Sequence, residues 1–239
     1  MPLIVLDAGH GGANPGATYN GRKESEDALA LTLAVGSILE ENGVDVYYTR
    51  TTDIYESPYQ KAQEGNEVGG DYFVSIHRNS SPYPNQYSGV ESLVYNRYGA
   101  AARMAYNINA GLEQVGFVNL GVNERPNLVV LNSTNMPAVL VEVGFINTDA
   151  DNELFDSRFD EIARAIAANP GGHSNPYKYM ACQAIIWEIA AGQGPQEIFD
   201  VGSVVSVGDK ADFLAVRLMG YRKAGLARKL SGFRFFHTG

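Results

Sequence analysis

Apolar residues in this chain fall into two kinds of run. Short continuous stretches, Leu3–Asp7 (LIVLD), Asp71–Ile76 (DYFVSI) and Ala138–Val143 (AVLVEV), suit strands buried on both faces. Longer stretches instead repeat their apolar positions at helical spacing. From Glu24, apolar positions at Leu29, Leu33, Val35, Ile38 and Leu39 predict a helix that stops at Asn42–Gly43. Pro58–Val68 reads as a weaker helix, and Tyr98–Gly116 as one with Ala102, Ala105, Ile108 and Leu112 along one side. Asp149–Ala168 reads as a single helical stretch, with acids in its first turn where the helix dipole favours them. Val44–Thr49 and Gly89–Tyr95 are further β-rich runs, and Leu128–Leu131 is short and β-like. Strands alternating with helices predict an α/β fold: a three-layer sandwich with a mostly parallel central sheet, forming a domain over residues 1–168.

The breaker-rich Asn169–Asn175 marks a linker at 169–176. Beyond it, 177–239 forms a C-terminal segment with a helix at Tyr179–Ala191, a strand at Val201–Val207 and a basic helix at Ala211–Lys229. Charge changes at the same place. Residues 1–170 carry 10 Lys/Arg against 22 Asp/Glu, whereas 171–239 carry 8 against 5. At 239 residues and 45% hydrophobic, the chain is long enough for one substantial core plus an appendage. A net charge of −9 argues against nucleic acid as a partner. The single cysteine, Cys182, excludes an internal disulfide. No stretch has the roughly 20 apolar residues of a membrane span, and the opening MPLIVLDAGHGG has no signal-peptide pattern.

Candidate chemistry gathers where the apolar runs end. His10 follows the first of them inside Asp7-Ala8-Gly9-His10-Gly11-Gly12, and His77 follows Asp71–Ile76. Ligand sites of open α/β sheets lie at the C-terminal ends of the strands. With only four histidines in the chain, two at strand ends point to a metal, since neutral imidazole is a common zinc ligand. The simpler alternative for His10 is a loop histidine bonding its own backbone. A carboxylate is the usual third ligand, and Glu24, Glu26 and Asp27 crowd the start of the first helix. Spacing does not choose among them; one should face the site and the others solvent. Glu142 lies inside an otherwise apolar strand, where an unpaired charge is costly, so it is either ion-paired or functional. Beside a metal it would act as a general base.

These segments resemble the zinc-dependent N-acetylmuramoyl-L-alanine amidases of the amidase-3 family, in order along residues 3–168. The resemblance is carried by Ile4–Gly12, Asn14-Pro15-Gly16-Ala17, Gly21-Arg22-Lys23-Glu24, Thr49-Arg50 with Asp53, Asp71–His77, Val130-Leu131 and Met136–Ile146. It implies that His10, Glu24 and His77 bind Zn2+, which selects Glu24 over Glu26, and that Glu142 is catalytic. The implied reaction is hydrolysis of the amide between N-acetylmuramic acid and the L-alanine of the stem peptide, in an endolysin- or autolysin-like protein.

The sequence departs from the pattern at Arg78, Lys61 and Gly65, none of which is a ligand or the base. Arg78 would stand at the site rim, either solvated or, with Asn79, contacting substrate. Expected partners are bacterial peptidoglycan, with no nucleic acid and no membrane, for a monomer that acts on the wall after release by host lysis. The segment 177–239 matches no wall-binding repeat; its Arg217, Arg222, Lys223, Arg228 and Lys229 suit either anionic wall polymers or plain solvation. Two other functions compete: a non-catalytic peptidoglycan-binding module of the same fold, and a zinc peptidase acting on another amide.

Overall fold

A computed structural model describes residues 2–167; the linker 169–176 and the segment 177–239 lie outside the described residues. Strands β1 (Leu3–Ala8), β4 (Asp45–Tyr48), β5 (Tyr72–Asn79), β6 (Val90–Val94), β7 (Asn119–Glu124) and β8 (Ala138–Phe145) form one sheet, in the order β4-β1-β5-β8-β6-β7. The first four run parallel; β6 pairs antiparallel with β8, and β7 runs parallel to β6. Strands β2 (Thr18–Tyr19) and β3 (Arg22–Lys23) make a small separate hairpin between β1 and the helix that starts at Glu24.

Helices cover both faces, as expected of a parallel sheet whose strands are apolar on both sides. On one face, α1 (Glu24–Glu41), α3 (Gly99–Val115) and α6 (Phe159–Ala167) pack on Ile4, Leu6, Val74, Ile76, Val139 and Val141. In α1, Ala28, Leu31, Val35 and Leu39 are buried, a helical stripe facing the sheet. Among the described residues, the opposite face carries only α2 (Pro58–Glu67) and the one-turn α4 (Val129–Asn132). Helix α2 starts from a capping box between Ser57 and Gln60 with Pro58 in its first turn. The smaller core on this side joins Val5, Phe73, Leu93, Val130, Leu131, Ala138 and Leu140. These residues sit where β1, β5 and β8 begin. The other end of the face, where those strands finish, is left to polar side chains.

Two expectations change, and one strand is added to those expected. Leu128–Leu131 is not a strand: after Pro126, Leu128 is extended and caps α4, which buries Val130 and Leu131 in the smaller core. The Asp149–Ala168 stretch is two helices, α5 (Asp149–Ser157) and α6, because Arg158 leaves the helical region and Phe155 meets Phe159 edge to face at 5.6 Å. Strand β7 has no clear apolar alternation, since as an edge strand it buries only Val122.

Candidate metal centre and active site

Strand parity places the site. Along β5, Tyr72, Val74 and Ile76 point into the larger core, so Phe73, Ser75 and His77 point to the opposite face. There His77 is in register with Glu142 of β8, and Glu142 with Glu91 of β6. Glu142 and Glu91 are the only residues of β8 and β6 that are not buried. Strand β5 runs two residues past His77, to Asn79.

His10 comes in from the loop after β1, and Glu24 from the first turn of α1. The His10 Nε2 lies 3.0 Å from Glu24 Oε1, and His77 Nδ1 lies 2.8 Å from the same oxygen. One donor atom from each of the three residues falls within 4.8 Å of the others. Glu24 is buried, and its other oxygen accepts from the Ala17 backbone N–H at 2.9 Å. Two glycines permit this crowding. A Cβ on Gly9 would stand 2.4 to 2.6 Å from the His77 ring, and one on Gly16 would stand 2.5 Å from Glu24 Oε2.

Electrostatics favour a cation here. Burial pushes the Glu24 carboxyl up, but hydrogen bonds from His10 and His77 outweigh it and hold the carboxyl far below the usual range. Burial pushes His77 down, but the hydrogen bond to Glu24 and the charges of Glu142, Glu24 and Asp7 leave it raised. Asn14 Oδ1 accepts from Gly16 N–H and lies 3.2 Å from His10 Nδ1. Both imidazoles thus turn a ring nitrogen toward one carboxylate oxygen, an arrangement suited to a shared positive charge, whether protons or a metal ion.

Glu142 is half-buried, and its Oε2 is buried without a hydrogen-bond partner. Desolvation pushes its pKa up to about 7; His77 and Arg78 pull it down, and Glu24 and Glu91 add to the rise.

The remaining candidates separate. Glu26 is exposed and paired with Lys23. Asp27 is not in solvent either: it binds Arg22 and Arg78, each at 2.6 Å. Arg78 is neither at the rim nor solvated. Its parity turns it into the opposite face, where it is 2% exposed, binds Asp27 and Asn152, and lies 4.2 Å over the Phe155 ring. Asn79 is on the site face, but its amide donates to Glu91 at 2.8 Å and its oxygen accepts from Ser80 N–H.

Three supports of the site were given no role from sequence: the Asp7 carboxylate, the Lys61 and Arg50 cations together, and Glu91. The buried Asp7 carboxylate accepts from Thr49 and Ser75 and pairs with Lys61 at 2.7 Å. Lys61 and Arg50 then hold the carbonyls of Ala8 and Gly9, fixing the backbone just ahead of His10. Glu91 is the third, and its signal was available: like Glu142, it is a lone carboxylate within an apolar strand.

The N-acetylmuramoyl-L-alanine amidase family model matches residues 4–169. The chain belongs to this family. A sporulation-specific N-acetylmuramoyl-L-alanine amidase of Bacillus subtilis (strain 168) is 37% identical over 181 residues, covering 73% of this chain and 66% of that protein. An endolysin of Bacillus phage SPP1 is 33% identical over 172 residues, covering 69% of this chain and 63% of the endolysin. The chain thus spans about two thirds of the length of these relatives. Among solved structures, the catalytic domain of the amidase CwlV from Bacillus (Paenibacillus) polymyxa var. colistinus superposes with a TM-score of 0.64. It has 31% identity and covers 70% of this chain and 94% of that domain. The amidase fold, a mixed sheet of mostly parallel strands flanked by helices, is thereby common to both.

Proposed function

We propose that this chain is a zinc-dependent peptidoglycan hydrolase that cleaves the amide between the lactyl group of N-acetylmuramic acid and the L-alanine of the stem peptide. The observation that carries this reading is the meeting of His10, Glu24 and His77 one strand away from the unpartnered Glu142 oxygen. Donor atoms in a tetrahedral zinc site lie roughly 3.3 Å apart. The contacts of 2.8 and 3.0 Å to Glu24 need only a slight opening to reach that value. Two imidazoles and one carboxylate are also a donor set that leaves a coordination position free, as a catalytic zinc requires. His10, Glu24 and His77 would hold the ion. When bound, zinc supplies Lewis acidity, polarising the amide carbonyl and making water easier to deprotonate.

The chain's own residues do the rest. Glu142 takes a proton from the attacking water as its oxygen bonds to the amide carbon, then delivers that proton to the nitrogen as the C–N bond breaks. Burial favours the protonated form of this carboxyl more than water would, which suits a group that takes up a proton and then gives it away. Asp7, Lys61 and Arg50 keep the His10 backbone in place. Names of relatives in the family support the scissile bond, and the phage endolysin supports action on the cell wall. We take the catalytic domain to end near residue 168, a reading supported by a family match that ends at 169. Arg78, being buried, is left out of the substrate-contacting set.

Glu142→Gln tests the reading. It should abolish release of peptides with new alanine N-termini from purified walls, followed by mass spectrometry, while the protein keeps about one zinc per chain. Full activity in that variant would overturn the mechanism. Unaltered walls that the wild type merely binds would favour a non-catalytic module instead.

A further inference from the structure

Beyond the metal and its base, the sheet carries a second acid in the same row. His77, Glu142 and Glu91 occupy register positions on three adjacent strands, β5, β8 and β6, and all three are half-buried. Strands stand about 4.8 Å apart, so Glu91 is one strand beyond Glu142 and roughly 10 Å across the sheet from His77. Residues directly opposite in an antiparallel pair share a face, so the Glu91 and Glu142 side chains leave the sheet together.

Glu91 is held in place. Its Oε1 accepts from the Asn79 amide at 2.8 Å and its Oε2 from the Asn123 amide at 2.9 Å. Each carboxylate oxygen can accept more than one hydrogen bond, so both keep capacity for a further donor. No cation is paired with Glu91 among the described residues. An anion oriented by two neutral amides, without a counter-ion, beside a general base is suited to a positive charge brought by a ligand.

Amide hydrolysis creates such a charge. The amide nitrogen is neutral and does not accept protons at ordinary pH, but the freed amine, with a pKa of about 8, takes up the water's second proton as the new carboxyl group ionises and leaves as an ammonium. We propose that Glu91 is the substrate-contacting residue that receives the amine liberated from the stem peptide, and that Asn79 and Asn123 position it. This rests on the amidase reading above and adds a direction to it. The peptide side of the scissile bond lies toward β6, and the glycan side toward the His10 loop. Charge builds on the nitrogen as Glu142 delivers its proton, so Glu91 favours the late part of the same step without itself transferring a proton.

Product binding separates this role from a structural one. The probes are the dipeptide L-alanyl-D-glutamate with a free amino terminus and its N-acetylated form, titrated calorimetrically into the zinc-loaded full chain. Wild type should bind the free amine about fivefold more tightly than the acetylated peptide, the size expected of one partly exposed charge pair. Glu91→Gln should lose that preference with zinc content and melting temperature unchanged, and Glu91→Asp should recover part of it. A wild-type protein that does not distinguish the peptides overturns the assignment, whether or not the variants fold. So does a Glu91→Gln protein that keeps the full preference. Wall hydrolysis by wild type is read separately: its absence removes the amidase reading, whereas intact hydrolysis without the amine preference removes only the role of Glu91.

Discussion

At the scale of single residues, the site depends on side chains that are absent as much as on those present. Gly9 lies so close under the His77 ring that any Cβ would collide with it. Gly9→Ala should therefore turn the imidazole away from Glu24 without disturbing the core. Zinc affinity, measured by competition with a chromogenic chelator, should fall by about 10- to 100-fold, the loss typical when a ligand's support is removed. The melting temperature of the zinc-free protein should change little. Sequence singled out His10, His77 and Glu142, because each breaks or ends an apolar run. It left Glu24 open among three acids, since only the fold shows which way the first turn of α1 faces. Glu91 met the same criterion as Glu142, and only the register of β6 against β8 reveals that the two are partners.

At the scale of elements, parity explains Arg78. A residue next to the proposed ligand His77 in sequence is across the sheet from it in space, and the cation expected at the rim is instead a brace. It ties β5 to α1 through Asp27 and to α5 through Asn152 and Phe155. Burial lowers the guanidinium to about 10, leaving it charged at neutral pH. In Arg78→Met, Asp27 keeps Arg22 as a partner, so the loss should stay below that of a fully orphaned charge, at about 2–3 kcal/mol in urea unfolding. Peptide release from walls should persist below the unfolding transition. An Arg78→Met variant as stable as wild type would show that the brace contributes nothing. The elements themselves were legible wherever apolar periodicity was strong, as in α1, α3, β1, β5 and β8. It failed at β7 and α4, the first an edge strand with one buried residue and the second a single turn. In neither does local pattern outweigh packing.

At the scale of the described domain, the network centred on Asp7 joins β1 to the residue just after β4 through Thr49, to β5 through Ser75 and to α2 through Lys61. Burial alone would raise the Asp7 carboxyl. The adjacent Lys61 charge, with hydrogen bonds from Lys61 and Ser75, outweighs burial and holds it below its ordinary value of 3.8. A depressed folded-state pKa means that the unfolded chain binds the proton more readily. The network's contribution is therefore complete above pH 3.8 and is lost as pH falls through the lowered value, so stability should drop steeply in acid. Asp7→Asn removes the titrating group and strands Lys61, which is 3% exposed, without its anion. It should cost about 3–5 kcal/mol at neutral pH, the range for breaking a buried pair. Below pH 4 its stability should decline less steeply than that of wild type, so that the two curves converge. Urea unfolding followed from pH 7 to pH 3 tests both parts. Parallel curves would mean that Asp7 titrates in the folded protein as it does in the unfolded chain, so that the Lys61 contact does not favour its anion. Convergence would establish that the backbone ahead of His10 is anchored by an ion pair, one that fails in acid along with the fold.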